Sequence, residues 1–299
     1  MELVNFFIYL LTMMGIYSLF ALSLNLQLGY TGLINFGQVM FFIVGAYASG
    51  VLTTWLGMPI VVGIVAAMLI AGVVGMLVSL PTRSLTADYW AISTLVAAET
   101  VRIIAINEEW LTGGTFGIMN IPQPLRALFL PAAYPAVFLS ITLALVALVY
   151  ILIHFITDSP FGRELRCIRD DEDLCLSMGK NTRKLKVQAM FLAGMVAGLG
   201  GALFAHYVTF ISPQNFRPIE TFLMFAMVVI GGLGNHRGAI LGAIIIETFN
   251  VSTRFIGGPL EISSAFMGSL RMALIGVLII AFLRFRPEGI LRERKKLYD

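Results

Sequence analysis

Long apolar runs separated by short polar segments dominate this chain of 299 residues. A helix needs roughly 20 residues to cross about 30 Å of hydrocarbon, and nine runs approach that length. They lie at residues 4–27, 36–55, 59–80, 89–107, 132–156, 188–209, 219–235, 238–256 and 266–284. Breaks interrupt the runs at 36–55 and 219–235. The pattern predicts an all-α polytopic membrane protein, a helical bundle of about nine transmembrane segments with broken or re-entrant helices.

The composition strengthens this prediction. Hydrophobic residues make up 58% of the chain and charged residues 12%, and the mean hydropathy is +0.89. Soluble domains carry about 25% charged residues, so this chain has too few polar side chains to cover a water-exposed surface. We therefore treat residues 1–299 as a single transmembrane domain.

One hydrophilic segment, residues 157–187, interrupts the apolar pattern near the middle of the chain. Between Asp158 and Lys186 it holds seven Lys or Arg and six Asp or Glu residues, so it is charge-dense but nearly neutral. It is the only sizeable stretch whose composition suits contact with a soluble partner. The alternative interpretation is a solvated connector between two spans.

The first half of the hydrophilic segment has the pattern of a short helix. Ser159 suits its N-cap and Pro160 its first turn. Phe161, Leu165 and Ile168 fall on one face of that helix. The segment is therefore expected to present an ordered surface rather than a flexible loop.

The second half of the segment predicts another short helix. Asp170 or Asp171 suits its N-cap, and Gly179 suits its end. Leu174 and Met178 would lie on its apolar side. A membrane protein that folds its largest loop in this way is expected to offer it to another protein.

Cationic residues indicate the orientation. Of the 20 Lys and Arg residues, seven lie in the hydrophilic segment and six in the tail from Arg284 to Lys296. Because cytoplasmic loops are enriched in Lys and Arg, we expect both regions in the cytoplasm, and the four intervening spans satisfy that parity. Counting back through five spans predicts an N-terminus outside and a C-terminus in the cytoplasm, in a multi-pass protein of the plasma membrane.

Two glycine-rich breaks occupy corresponding places, GYTGLINFGQ at Gly29–Gln38 and GGLGNHRG at Gly231–Gly238. Such breaks point to a substrate path, because backbone that leaves the helix within a membrane lines a cavity or is buried in protein. The candidate path residues are Asn35, Gly37, Gln38, Gly231, Gly232 and Gly234. The side chains of Asn35 and Gln38 would offer uncharged donors and acceptors. Tight turns without a transport role are the alternative.

Four Asp, Glu, Lys or Arg residues lie within the predicted spans away from their ends, where charge is costly: Glu99, Arg102, Glu247 and Arg271. Glu99 and Arg102 are three positions apart on one helix, which predicts an ion pair. Glu247 is the most central of the four, with Arg271 as its candidate partner. These intramembrane charges are either structural, or Glu247 or Glu99 carries coupling protons in a secondary carrier.

The chain lacks the motifs of familiar catalytic sites. No G-x-x-x-x-G-K-[ST] is present to cradle ATP, G-x-S-x-G and H-E-x-x-H are absent, and the three histidines are scattered. Cys167 and Cys175 have no metal-ligand cluster around them and would be reduced thiols in the cytoplasm. We expect no enzyme activity, no metal site and no cofactor, and the modest net charge gives no indication of nucleic-acid binding.

Six motifs in order give a more specific indication. They are GLINFGQVMFFIVGAYAS (32–49), ADYWAISTL (87–95) followed by Glu99 and Arg102, LTGG (111–114), SPFGRELRCIRDDE (159–172), MVVIGGLGNHRGAILGA (227–243) and FRPEGIL (285–291). Together they resemble the permease subunit of branched-chain amino-acid ABC importers, of the LivM or LivH type, over about residues 20–291. The SPFGRELR–IRDDE stretch and the RPEGIL ending favour the M-type member.

The resemblance implies a permease that translocates branched-chain or other hydrophobic amino acids, with ATP hydrolysed by separate subunits. Its partners would be a second homologous permease subunit, two cytoplasmic ATP-binding subunits, an extracytoplasmic solute-binding protein and membrane lipid. The translocation path would also take in Tyr89 and Glu99. Segment 157–187 would be the coupling loop, contacting the ATP-binding subunits through Ser159, Phe161, Gly162, Arg163, Leu165, Arg166, Ile168, Arg169, Asp171, Met178 and Gly179.

Two other functions stay open at this point. One is an ABC permease for urea or short amides. The other is an ATP-independent secondary carrier for small polar solutes, in which the intramembrane carboxylates would carry protons.

Overall fold

The structure, a computed structural model, describes residues 2–82, 85–257 and 264–293. These residues form twelve α-helices, and the described part of the chain has no strand beyond one isolated bridge, so the all-α prediction is confirmed. The helices are α1 (Glu2–Leu24), α2 (Val39–Thr54), α3 (Ile60–Thr82), α4 (Ala87–Asn107), α5 (Glu109–Thr112), α6 (Tyr134–Asp158), α7 (Pro160–Asp170), α8 (Glu172–Ser177), α9 (Thr182–Val208), α10 (Ile219–Gly231), α11 (His236–Gly257) and α12 (Ser264–Phe285).

Six helical stretches are long and apolar enough to cross a membrane, which confirms a polytopic helical protein. They are Leu3–Gly29, Ile60–Thr82, Ala87–Asn107, Tyr134–Asp158, Thr182–Val208 and Gly268–Phe285. The predicted count of about nine is not confirmed. At about 1.5 Å per residue, α2 with 16 residues and α10 with 13 extend only about 24 and 20 Å. Both are shorter than the hydrocarbon core, and they belong to the two runs in which the sequence shows breaks.

Both glycine-rich breaks are present in the structure. α1 continues into a π-helical turn, Asn25–Gly29, and α-helix resumes only at Val39. The second break separates Gly231, the last residue of α10, from His236, the first residue of α11. The two breaks meet at the end of the bundle that carries α7 and α8, which we call the α7–α8 end.

α9 is the central helix of the bundle. In the most apolar 18-residue stretch of α9, 78% of the residues are buried, compared with 28% in the corresponding stretches of α3, α4 and α6. Small residues let two helices approach closely. A methyl group added at Gly194 would lie 2.6 Å from Ala71 O, and one added at Gly198 would lie 2.7 Å from Ala67 O. The small residues of α9 therefore serve packing against α3 within this chain, and the exposed apolar sides of α3, α4 and α6 are left to lipid or a partner.

Two loops, following α5 and α9, are joined at the opposite end of the bundle. Ile118 and Ile211 exchange backbone hydrogen bonds of 2.9 and 3.1 Å. The buried ring of His206 adds a second link, with Nδ1 2.6 Å from Pro122 O and Nε2 2.7 Å from Ser49 Oγ. These bonds hold α2, α9 and the loop after α5 together at this end.

Candidate functional site

The hydrophilic segment folds into α7 and α8; the predicted caps of α8 are present, but the predicted side-chain cap of α7 is not. Asp171 caps α8, because its side chain accepts a hydrogen bond from Leu174 N at 2.9 Å. Gly179 follows α8 with a φ of +76°, the left-handed conformation that commonly ends a helix. Ser159 occupies the N-cap position of α7, but its Oγ donates to Ile156 O at 2.7 Å instead of capping the helix.

The apolar face of α7 is directed into the protein. Leu165 is 0% and Ile168 6% exposed, and Phe161 packs against the same cluster. The cluster also contains Leu26, Tyr30, Cys175, Leu185, Ala189 and Ala193. Gly162 is buried too, and a side chain there would overlap the backbone of Thr157. Since a fully buried Leu or Ile contributes about 1.5–3 kcal/mol, α7 is firmly anchored to the bundle.

The apolar residues of α8 and the turn after it point outward. Leu174, Leu176 and Met178 are 55%, 50% and 67% exposed, and we call these three residues the α8 face. Arg163 of α7 and Gly179 are also exposed. The α8 face lies in the charge-dense segment beyond the ends of α6 and α9. Leu174 and Met178 share one side of α8 and Leu176 lies on another, and exposed apolar side chains in such a place indicate an interaction surface.

Arg169 connects α7 to the first glycine-rich break and to the C-terminal tail. Its guanidinium donates a hydrogen bond to Gly29 O and forms an ion pair of 3.0 Å with Glu293. Burial alone would lower the pKa of Arg169, but the carboxylates of Glu293 and Asp170 more than offset this, so the pKa is raised and the group stays charged. The backbone of Gly32 fits against Arg169 with a φ of +72°.

The C-terminal tail in turn holds the second break. Ile290 N donates to Ile230 O at 2.9 Å and Leu291 N donates to Gly231 O at 3.0 Å. The tail thus satisfies two carbonyls at the end of α10 that have no partner within that helix. Gly232 follows with a φ of +126°, and a side chain there would collide with the backbone of Leu291.

His236 and Asn25 join the second break directly to the first. Asn25 Oδ1 accepts from Gly234 N at 2.9 Å, and Asn25 Nδ2 lies 3.3 Å from His236 Nδ1. The other ring nitrogen, His236 Nε2, lies 3.0 Å from Thr157 Oγ1 at the end of α6. Arg166 of α7 donates to the backbone oxygen of Thr157 at 2.6 Å. Both breaks, α6 and α7 therefore share one connected set of polar contacts.

The polar residues of the first break form a closed cluster deeper in the bundle. Gln27 Nε2 donates to Gln38 Oε1 at 2.8 Å, and Asn35 Nδ2 donates to Gln27 Oε1 at 2.7 Å. Gln38 Nε2 donates to Ser23 Oγ at 2.8 Å, and Ser23 Oγ donates to Ala193 O at 2.7 Å. All four polar side chains are 0% exposed. The side chains of Asn35 and Gln38 are thus satisfied by their neighbours in this conformation, and their role in the translocation path stays a prediction.

The remaining candidate path residues lie on or against α4. Tyr89 is 64% exposed near the beginning of that helix. Gly37 packs so closely that a side chain there would overlap the backbone of Thr94. The predicted pair of Glu99 and Arg102 is present, with Arg102 Nε donating to Glu99 Oε2 at 3.0 Å. The side chains of this pair are 36% and 20% exposed, respectively, on the outside of the chain.

The other two intramembrane charges lie in α11 and α12. Glu247 is 4% exposed and accepts a hydrogen bond of 3.1 Å from Asn250. Arg271 is partly buried in α12, with its Nε shielded from solvent. The pairing of Glu247 with Arg271 stays a prediction.

Sequence reasoning missed Asn25, Gln27, His236 and Glu293, which complete these contacts. Asn25 and Gln27 carry amide groups at the end of an otherwise apolar span, and that signal was available in the sequence. Glu293 lies in a tail whose charge pattern indicates only orientation. Nothing local marks it as the partner of Arg169.

Comparison with known proteins places these features in a family. A family model described as the permease component of the branched-chain amino acid transport system matches residues 6–283. The high-affinity branched-chain amino acid transport system permease protein LivM of Escherichia coli is 32% identical, over 94% of this chain and 68% of its own length. A probable LivM of Methanocaldococcus jannaschii is 29% identical over 94% and 91% of the two chains. LivH of Salmonella typhimurium is only 24% identical over 94% and 92%, and no solved structure matches the chain.

Proposed function

The chain belongs to the family of branched-chain amino acid transport system permease components, and from that premise we propose its place in a transporter. It is the membrane permease subunit of an ABC importer that moves branched-chain or similar hydrophobic amino acids across the plasma membrane. Separate subunits hydrolyse the ATP. The higher identity to LivM than to LivH supports the M-type member of a permease pair.

The observation that carries this proposal is the link made by Arg169. Arg169 lies in α7, bonds to the first break through Gly29, and reaches the second break through Glu293 and the tail. A displacement of α7 therefore has to move both breaks or break these bonds. This is what a permease needs if a motor outside the membrane is to switch access along a path between its helices.

The surface for the motor is the α8 face, with Leu174, Leu176 and Met178. Its apolar side chains are exposed, whereas Leu165 and Ile168 of α7 are used inside the protein. Arg163 and Asp171 lie exposed beside the α8 face and offer charged contacts at its rim. We assign this surface to the ATP-binding subunits, so the α7–α8 end faces the cytoplasm and the N-terminus lies outside.

The opposite end suits the solute-binding protein. Trp110, Phe116 and Leu130 are 75%, 77% and 78% exposed there. The loops that carry these residues are held near the ends of α4, α6 and α9, so they form a defined platform. A second homologous permease would cover part of the exposed sides of the spanning helices, and lipid would cover the rest.

Reconstitution tests this assignment. Vesicles containing this chain with its cognate partner permease, ATP-binding subunits and solute-binding protein should accumulate labelled leucine only with ATP on the motor side. Omitting the ATP-binding subunits should abolish accumulation. Uptake of urea or a short amide in place of leucine would support the ABC mechanism but contradict the proposed amino-acid substrate.

The competing secondary carrier rests on the deeply buried Glu247. A proton-coupled carrier would take up solute under a proton gradient without ATP-binding subunits, and Glu247→Gln would remove both uptake and its pH dependence. In the importer, Glu247→Gln retains ATP-driven uptake. Thr248→Val, next to it but exposed, serves as the matched control for substitution in α11.

A further inference from the structure

A separate cavity of about 270 Å³ opens at the α7–α8 end. Its walls come from the end of α6, from α7, from both glycine-rich breaks and from the C-terminal tail. Two guanidinium groups, two carboxylates and two phenols line it: Arg166, Arg237, Asp158, Glu293, Tyr30 and Tyr150. No residue of the closed amide cluster around Gln27 lines this cavity, whereas Gly234 of the second break, a candidate path residue, does.

The charges in the cavity balance. Two Arg and two carboxylate side chains line it; Glu293 is also paired with Arg169, and Asp158 lies 3.6 Å from His154. The buried His236 beside them has its pKa lowered to about 3, mainly by burial, so it stays neutral. A free anion would meet the carboxylates of Asp158 and Glu293, and a free cation would meet Arg166 and Arg237. A ligand that carries one positive and one negative group can satisfy both kinds of side chain.

The other walls of the cavity are aromatic. The ring of Tyr30 stacks on His236 with centroids 4.7 Å apart, and Arg166 lies 5.6 Å from the centroid of Tyr30. Tyr150 stacks beside His154, and its hydroxyl accepts from Arg237 Nε at 3.1 Å. Such walls suit the aliphatic or aromatic side chain of a small ligand.

The size of the cavity limits the ligand. At about 30 Å³ per water-sized group, 270 Å³ holds roughly nine non-hydrogen atoms, the number in leucine. A ligand of about this size fills the cavity, whereas an inorganic ion would leave most of the space empty.

We propose that this cavity binds a free α-amino acid zwitterion and that its occupancy slows the transport cycle. The identity of that amino acid as the imported product, and the cytoplasmic position of the cavity, rest on the function proposed above. The carboxylate of the ligand contacts Arg237 and Arg166, and its ammonium group contacts Asp158. Because the walls belong to α6, α7 and both breaks, a bound ligand fixes their relative positions and opposes the movement that switches access.

Binding to the purified full-length chain in lipid nanodiscs tests the cavity directly. The probes are L-leucine, 4-methylpentanoate, which lacks the ammonium group, and 3-methylbutylamine, which lacks the carboxylate. Since a hydrogen bond to a charged group is worth about 1.5–3 kcal/mol, leucine should bind at least about tenfold tighter than either analogue. Asp158→Asn and Arg237→Gln should each weaken leucine binding about tenfold.

Two variants control for the loss of charge. Asp88→Asn and Arg284→Gln remove the same groups from exposed positions outside the cavity and should leave leucine affinity unchanged. The proposal is overturned if leucine does not bind, if all three probes bind equally, or if leucine affinity is the same in Asp158→Asn, Arg237→Gln and the unaltered chain. The last outcome would place leucine elsewhere, for example in the translocation path.

Transport measures the consequence. In reconstituted vesicles whose lumen faces the α7–α8 end, unlabelled leucine loaded into the lumen should slow the initial uptake of labelled leucine several-fold. In Arg237→Gln the ratio of loaded to empty rates should return towards one. If the rate of ATP-driven uptake is the same with and without leucine in the lumen, this inference is rejected, but the proposed importer function is not. Absence of ATP-driven uptake in empty vesicles rejects the importer, while the binding measurement still decides on the cavity.

Discussion

α7 and α8 are neighbours in one charge-dense segment, but they use their apolar residues in opposite ways. α7 buries Leu165 and Ile168 against the bundle, whereas Leu174 and Leu176 of α8 are at least half exposed. α7 also sends the charged side chain of Arg169 inward to both breaks. The comparison shows that one segment can combine a rigid connection to the bundle with an open surface for a partner.

This division explains how a motor could act on helices it does not touch. The α8 face can be gripped without disturbing the core, because little of it is used for folding. In the proposed importer α7 would then transmit the movement, because Ile168 and Arg169 are packed and bonded to the elements that carry the breaks. Variants of the two helices should therefore fail in different ways.

The largest difference is expected in stability, between a variant with a carboxylate placed in α7 and one with a carboxylate placed in α8. Ile168→Asp puts an unpaired carboxylate in a buried apolar cluster and should destabilise the protein by about 3–5 kcal/mol. Leu174→Asp puts the same group in water and should change stability by less than about 0.5 kcal/mol. Thermal unfolding in detergent and the yield of monodisperse protein measure both. Equal stability of the two variants would remove the distinction between α7 and α8.

The next largest effect is expected on binding of the ATP-binding subunits, without a change in the stability of this chain. Leu176→Asp combined with Met178→Asp should lower ATP-driven uptake at least about tenfold, because central apolar contacts carry most of the binding energy of an interface. The variant should still assemble in the membrane with normal thermal stability. Co-purification of the ATP-binding subunits and vesicle uptake are the measurements. Full retention of both would show that the α8 face is not the docking surface.

Substitution of Arg169 should have an effect of intermediate size, on the amount of leucine transported per ATP hydrolysed. In Arg169→Lys the positive charge remains. However, an ammonium group cannot contact both Gly29 O and the Glu293 carboxylate as the planar guanidinium does. We expect normal docking of the ATP-binding subunits and several-fold less leucine transported per ATP hydrolysed. Asp170→Asn is the matched control, since Asp170 is 71% exposed and contacts Arg169 from the solvent side. An unchanged ratio in Arg169→Lys would contradict the proposed transmission.

The smallest effect is expected for the exposed link between the two parts of the segment. Lys180 Nζ lies 2.6 Å from Glu164 Oε1, but both side chains face solvent. Because exposed ion pairs contribute little, Lys180→Ala should leave the melting temperature and the uptake rate unchanged. A clear loss of uptake would mean that Lys180 contacts a partner, which would widen the docking surface beyond the α8 face.

Local patterns predicted much of this segment. Apolar residues at helical spacing and cap residues located α7 and α8, and Asp171 and Gly179 take the roles expected of them. The family resemblance implied that Leu165 and Ile168 contact a partner, whereas the amphipathic pattern shows only that their face is apolar, not what covers it. Only the folded chain shows that Leu26 and Leu185 already pack there.

Contacts between distant parts of the chain lay outside the reach of the sequence. Arg169 and Glu293 are both surrounded by other charges, so nothing local selects them as a pair. The count of about nine spans is not confirmed for a related reason. Hydropathy marks α2 and α10 as apolar, but it does not show that each begins or ends at a break and is too short to span alone.

The central claim is that the α8 face lies in the cytoplasm under the ATP-binding subunits. It is tested by a single cysteine, Leu176→Cys, in a chain with Cys167→Ala and Cys175→Ala, labelled with a membrane-impermeant maleimide. Trp110→Cys in the same background marks the opposite end. We predict labelling of Leu176→Cys only in inverted vesicles, with protection once the ATP-binding subunits are bound, and the reverse sidedness for Trp110→Cys. Labelling of Leu176→Cys in sealed right-side-out cells, or no protection by those subunits, would contradict the account.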